Sequence, residues 1–127
     1  MVGSAIETIL AGVEATVAPG VIPDRRGADW VIYNMISSVP HNTKSGASDY
    51  DQYRFQLDIY SRTYSNVDTL AASVRSTLDD YSGTSESVVI DRVFFDGEFD
   101  TVELKDEDES KELYFRRMQD YIIFVKT

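Results

Sequence analysis

His41 is the only histidine of the chain, within Pro40-His41-Asn42-Thr43-Lys44-Ser45-Gly46, and there is no cysteine. An imidazole can serve as a base or a metal ligand. With no second histidine and no thiolate, a transition-metal site would have to be built almost wholly from carboxylates. Serines are plentiful, yet none stands in a G-x-S-x-G elbow, and only His41 could offer one an imidazole base. The run Asp106-Glu107-Asp108-Glu109 has the hard oxygen ligands that calcium takes. It lacks the alternating spacing, central glycine and terminal glutamate of an EF-hand loop, so it reads as a solvated charge run. Gly27, Gly46, Gly83 and Gly97 stand singly, without the G-x-x-x-x-G-K pattern of a phosphate loop. These residues support no catalytic group, cofactor site or metal site.

The basic pairs Arg25-Arg26 and Arg116-Arg117 read as surface ion-pair donors. Aromatic residues such as Tyr50, Tyr53, Phe55, Tyr60, Tyr64 and Tyr81 could stack on bases, but no basic groove accompanies them, so core and interface roles are preferred. The charge balance points the same way. Twelve Lys and Arg against 22 Asp and Glu give a net charge of −10, which opposes the counterion-release mechanism of nucleic-acid binding. At 43% hydrophobic and 12% aromatic residues the chain is too apolar for an acidic disordered tail. Its 127 residues suit a single domain, 1–127. The absence of cysteine excludes disulfide scaffolds and fits a reducing cytoplasm. The N-terminal stretch has no basic region before its apolar stripe, unlike a signal peptide, and no run of about 18 apolar residues offers a membrane span.

Several elements are expected to position these residues. Ser4 with Glu7 suggests a capping box opening a first helix, whose stripe is Ile6, Ile9, Leu10, Val13 and Val17, ended by Pro19 and Gly20. Trp30 to Ser37 reads as a strand apolar on both faces. Residues 39–50, dense in turn formers, read as a long loop holding His41, Asn42 and Lys44. Tyr53, Phe55, Leu57 and Ile59 then alternate with Arg54, Gln56, Asp58 and Tyr60 in a half-buried antiparallel strand that forms a hairpin with the first. Ser65 and Asp68 suggest the start of a second helix, striped by Val67, Leu70, Ala71, Val74, Leu78 and Tyr81 and stopped by Gly83. Ser87 to Phe95 and Leu113 to Val125 read as the last two strands. The intervening segment 96–112 is expected to be a linker. Nine acids there (Asp96, Glu98, Asp100, Glu103, Asp106, Glu107, Asp108, Glu109 and Glu112) against two lysines leave it at −7.

The expected class is therefore α+β, with a single four-stranded, mainly antiparallel sheet and two helices in the order α-β-β-α-β-β. Such a sheet leaves two edges available for oligomerisation.

The layout resembles the tail-completion or tail-terminator proteins of long-tailed bacteriophages, the head-to-tail joining proteins. The likeness lies in the opening helix, the loop Val17-Ala18-Pro19-Gly20 and the strand DWVIYNMIS. It continues in Arg54, Phe55, Gln56, Leu57, Asp58 and Tyr60, in the helix LAASVRSTLDDYSG and in the closing strand LYFRRMQDYIIFV. The resemblance implies a non-enzymatic virion protein at the tail–head junction, assembled in the host cytoplasm as a homohexameric ring. That ring would cap the tail tube protein, meet the head connector or stopper protein and let DNA pass without holding it. On this reading Asp96, Glu98, Asp100, Glu103, Asp106, Glu107, Asp108 and Glu109 form a candidate partner or lumen loop, and His41, Asn42 and Lys44 a candidate docking loop. A ferredoxin-like ligand-binding or regulatory domain without catalysis is the alternative.

Overall fold

The computed structural model describes residues 2–13, 15–20, 29–43, 46–104 and 113–126. Helix α1 runs Val2–Ile9 and is followed by a 3-10 turn, Leu10–Gly12; helix α2 runs Tyr64–Leu78. The strands are β1 Thr16–Pro19, β2 Trp30–Thr43, β3 Gly46–Ser61, β4 Gly83–Ser85, β5 Val88–Leu104 and β6 Leu113–Lys126. They form one curled, mixed, half-barrel sheet in the order β1-β2-β3-β6-β5-β4. Only β1 and β2 pair in parallel; every other neighbouring pair is antiparallel.

This corrects the four-stranded expectation. The first helix ends after two turns, and Val17 belongs to β1 instead of extending the helical stripe. Ser4 lies inside α1, so it does not open a capping box. The missing edge strand β4 holds only Gly-Thr-Ser, too short and too polar to show periodicity. The supposed loop 39–50 is largely strand: β2 continues to Thr43 and β3 begins at Gly46, with Asn42 opposite Ala47 and Thr43 opposite Gly46. Residues 96–104 likewise extend β5, from Glu98 opposite Gln119 to Leu104 opposite Leu113. Cross-strand hydrogen bonding holds these polar stretches extended where side-chain propensity alone favours turns.

Both helices cover one face of the sheet. The core beneath them joins Ala5, Ile6 and Leu10 with Leu70, Val74 and Leu78, and with Val31, Phe55, Leu57, Ile59, Ile90, Val93, Tyr121 and Ile123 from four strands. Gly3 brings α1 close to the sheet, because a Cβ there would stand 3.2 Å from the Tyr33 ring. On the opposite face Trp30 and Ile32 pack with Ala18 and Tyr60 in a smaller cluster. Helix α2 is capped by Thr63, whose Oγ1 accepts from the Asn66 amide at 3.2 Å, two residues before the expected Ser65. It ends at Leu78, before Gly83, which opens β4.

Candidate assembly surfaces

Strand extension places the candidate acids Asp96, Glu98 and Asp100 on β5, each with an internal partner. Asp96, at the register shift between Phe95 and Gly97, accepts from Arg54 Nη1 at 2.7 Å. Glu98 Oε1 accepts from Gln119 Nε2 at 3.0 Å. Asp100 accepts from Arg117 Nε at 2.6 Å and from the Tyr64 hydroxyl at 2.8 Å. Glu103 lies on β5 opposite Tyr114. Asp106, Glu107, Asp108 and Glu109 lie outside the described residues, as does Lys44, whereas His41 and Asn42 fall on β2.

The partners of these acids form a polar seam under α2 that sequence reasoning missed. The Arg117 side chain, 10% exposed, also reaches Asp68 of α2 at 2.8 Å and donates to the Tyr64 hydroxyl at 2.9 Å. Hydrogen bonding from Arg117 holds the Asp100 carboxyl below its ordinary range against the opposing effect of desolvation, and Asp100 in turn raises the Arg117 guanidinium. Two residues further along β6, fully buried Gln119 donates to the Ala71 carbonyl at 3.2 Å and accepts from the Tyr121 hydroxyl at 2.8 Å. Burial, followed by the charge of Asp79, pushes the Tyr121 phenol up. Every polar atom of Gln119 is thus used, which satisfies the requirement for a buried amide. The seam fixes α2 over β5 and β6. Its sequence signal is the polar pair Arg117 and Gln119 at the inward positions of an otherwise apolar alternation.

At the other side of the helix-covered face, Tyr33 donates to Glu7 Oε2 at 3.0 Å. Burial first, and then the hydrogen bond and charge of Glu7, push its phenol up to about 12. Beside it lies a cleft of about 590 Å³, lined by Val2, Gly3, Pro19, Gly20, Tyr33, Met35, Tyr53 and Phe55 together with polar Asn34 and Ser38. Among the described residues no group of three or more His, Cys, Asp or Glu is placed to hold a metal ion. Nor is any described helix long and apolar enough to cross a membrane.

The large apolar residues left outside the core are distributed unevenly. Met35, Ile36 and Val39 on β2 and Phe99 on β5 are each more than half exposed, and Val89 and Phe94, also on β5, follow at 42%. Tyr64, at 48%, is the other one among the described residues. Six of these seven residues thus lie on the two long strands β2 and β5.

Comparison with known proteins decides the family, because the tail completion protein gp17 family matches residues 2–126. The chain belongs to that family. Tail completion proteins of this kind are structural components of the virion tail, and that is where this protein resides. A chain from the solved virion of the native gene transfer agent (GTA) particle has the same fold, with a TM-score of 0.63 at 13% identity. The alignment covers 98% of this chain and 86% of that one. No curated protein matches.

Proposed function

We propose that this tail completion protein assembles into a closed ring of six copies that caps the finished tail tube and presents a docking surface to the head connector. The observation that carries this reading is the concentration of exposed large apolar residues on β2 and β5, on a chain whose family builds virion tails. The protein acts by contact and not by catalysis. The acids Glu103, Asp106, Glu107, Asp108 and Glu109, which follow the internally paired Asp96, Glu98 and Asp100, line the lumen or the docking face. Six copies concentrate their charge, and DNA meets no phosphate contacts as it slides past.

Particles assembled without the protein test the reading. Tails that fail to join heads, or tubes of uncontrolled length, are expected, and normal infectious particles would refute it. Mass measurement of the protein, alone and on tail tubes, should give six copies. Changing Asp106, Glu107, Asp108 and Glu109 to Asn or Gln should alter genome delivery or the salt dependence of head joining. If neither changes, the run is a solvated face.

A further inference from the structure

Among the described residues, no strand flanks the sheet at two diagonally opposite corners. β1 pairs with β2 only over Trp30–Tyr33, and the Gly20 amide donates to the Tyr33 carbonyl just beyond it. From Asn34 to Thr43 no described strand lies on the outer side of β2. β4 pairs with β5 only over Val88–Ile90. Asp80 and Tyr81 exchange backbone hydrogen bonds with Val93, and Asp79 takes the Phe95 amide. From Gly97 to Leu104 the outer side of β5 has no described strand either. Among the described residues, the four most exposed large apolar ones, Met35, Ile36, Val39 and Phe99, all lie in these two stretches.

We infer that the open edge of β2, from Asn34 onward, pairs antiparallel with the open edge of β5, Gly97–Leu104, of a second copy of this chain. The inference rests on the ring reading above and specifies its interface. A second copy is the fitting occupant for three reasons. First, the two edges belong to opposite sides of one sheet, so one head-to-tail contact satisfies both, and its repetition closes a ring. Second, neighbours related by a modest rotation keep their strand directions, and β2 and β5 run opposite ways within the sheet, so the new pair is antiparallel. Third, charge selects the unlike pairing. β5 carries Glu98, Asp100 and Glu103 along its open stretch, and Arg117 offsets only Asp100, so two β5 edges would set excess negative charge against negative charge, whereas Asn34–Val39 holds no charge.

The diagonal placement also sets the geometry. Bringing the corners together displaces neighbours along the strands by about five residues, at about 3.3 Å each. Spread over the four strands β2, β3, β6 and β5, spaced by about 4.8 Å, this is a tilt of about 40°, within the range of closed β-barrels.

Because the chain has no cysteine, introduced pairs report directly. Val39→Cys, on the sheet face that Phe99 and Thr101 share, is combined with Phe99→Cys or Thr101→Cys in one chain and oxidised, and Met35→Cys, on the helix-covered face, is combined with the same partners as a control. At least one Val39 combination should give a ladder of cross-linked copies ending at the ring size, while the Met35 combinations and each single variant stay uncross-linked. Dimers from Val39→Cys or Met35→Cys alone would mean β2-to-β2 pairing and overturn the inference. Ile36→Lys and Val39→Lys, at exposed positions that folding tolerates, should weaken association at least tenfold without shifting the thermal midpoint. If the unmodified protein has the mass of a ring yet no combination ladders and the lysines change nothing, the interface is wrong and the ring stands. If the unmodified protein remains a single chain at high concentration and no combination ladders, both fall.

Discussion

Asp100 and Tyr33 tie the fold to pH from opposite directions. Asp100 has a depressed native pKa, so the unfolded chain takes up its proton first, near pH 4. Its contribution is complete above that pH and is lost as the pH falls through the native value. Urea midpoints should therefore drop more steeply below pH 4 for the natural protein than for Asp100→Asn. Arg117→Met should cost about 2 kcal/mol, below the usual loss for breaking a buried pair because the Asp100 side chain remains 40% exposed. Tyr33 behaves in the reverse sense. Its native pKa is raised to about 12, so its contribution is complete below about pH 10 and disappears as the pH rises toward 12. Tyr33→Phe should cost about 1 kcal/mol at neutral pH and flatten the alkaline loss of stability. An unchanged alkaline limb would show that burial and Glu7 together do not hold this phenol protonated.

At the scale of elements, Thr63 caps α2 and Ser65 lies exposed within its first turn. Thr63→Ala should cost about 1 kcal/mol in denaturant melts, and Ser65→Ala almost nothing; equal effects would put the cap at the wrong residue. Leu78→Ala, at a side chain 1% exposed, should cost about 2–5 kcal/mol. The stripe from Val67 to Leu78 was legible because helical spacing and burial coincide there. The β2–β3 hairpin was legible from the alternation of Tyr53 to Tyr60 against an apolar neighbour. β1 was hidden because Val13 and Val17 fit a helical period by accident of spacing, and β4 because three small residues have no period. The polar seam was illegible for a different reason. Arg117 finds Asp100, Asp68 and Tyr64 at separations of 17, 49 and 53 residues, which only the folded sheet brings together.

For the whole molecule, a net charge of −10 per copy opposes every association of like copies. Edges joined by backbone hydrogen bonds and apolar contact gain from screening, whereas an interface of ion pairs loses. Raising the salt from about 0.01 to 0.15 M shortens the screening length from about 30 to 8 Å. Sedimentation should accordingly show more assembled protein at the higher salt, and less would point to an interface built on charge. β6 follows β3 and β5 in the chain yet lies between them in the sheet. As the polypeptide emerges from the ribosome, the strands on either side exist before the one that joins them, and the inner flanks of both wait unpaired. The α2 side of Arg117 and Gln119, the backbone partners of β3 and β5, and much of the core arrive together with these last fourteen residues of the sheet. A nascent chain stalled before Leu113 cannot fold in halves, so competence to assemble appears in one late step, after translation has passed Lys126.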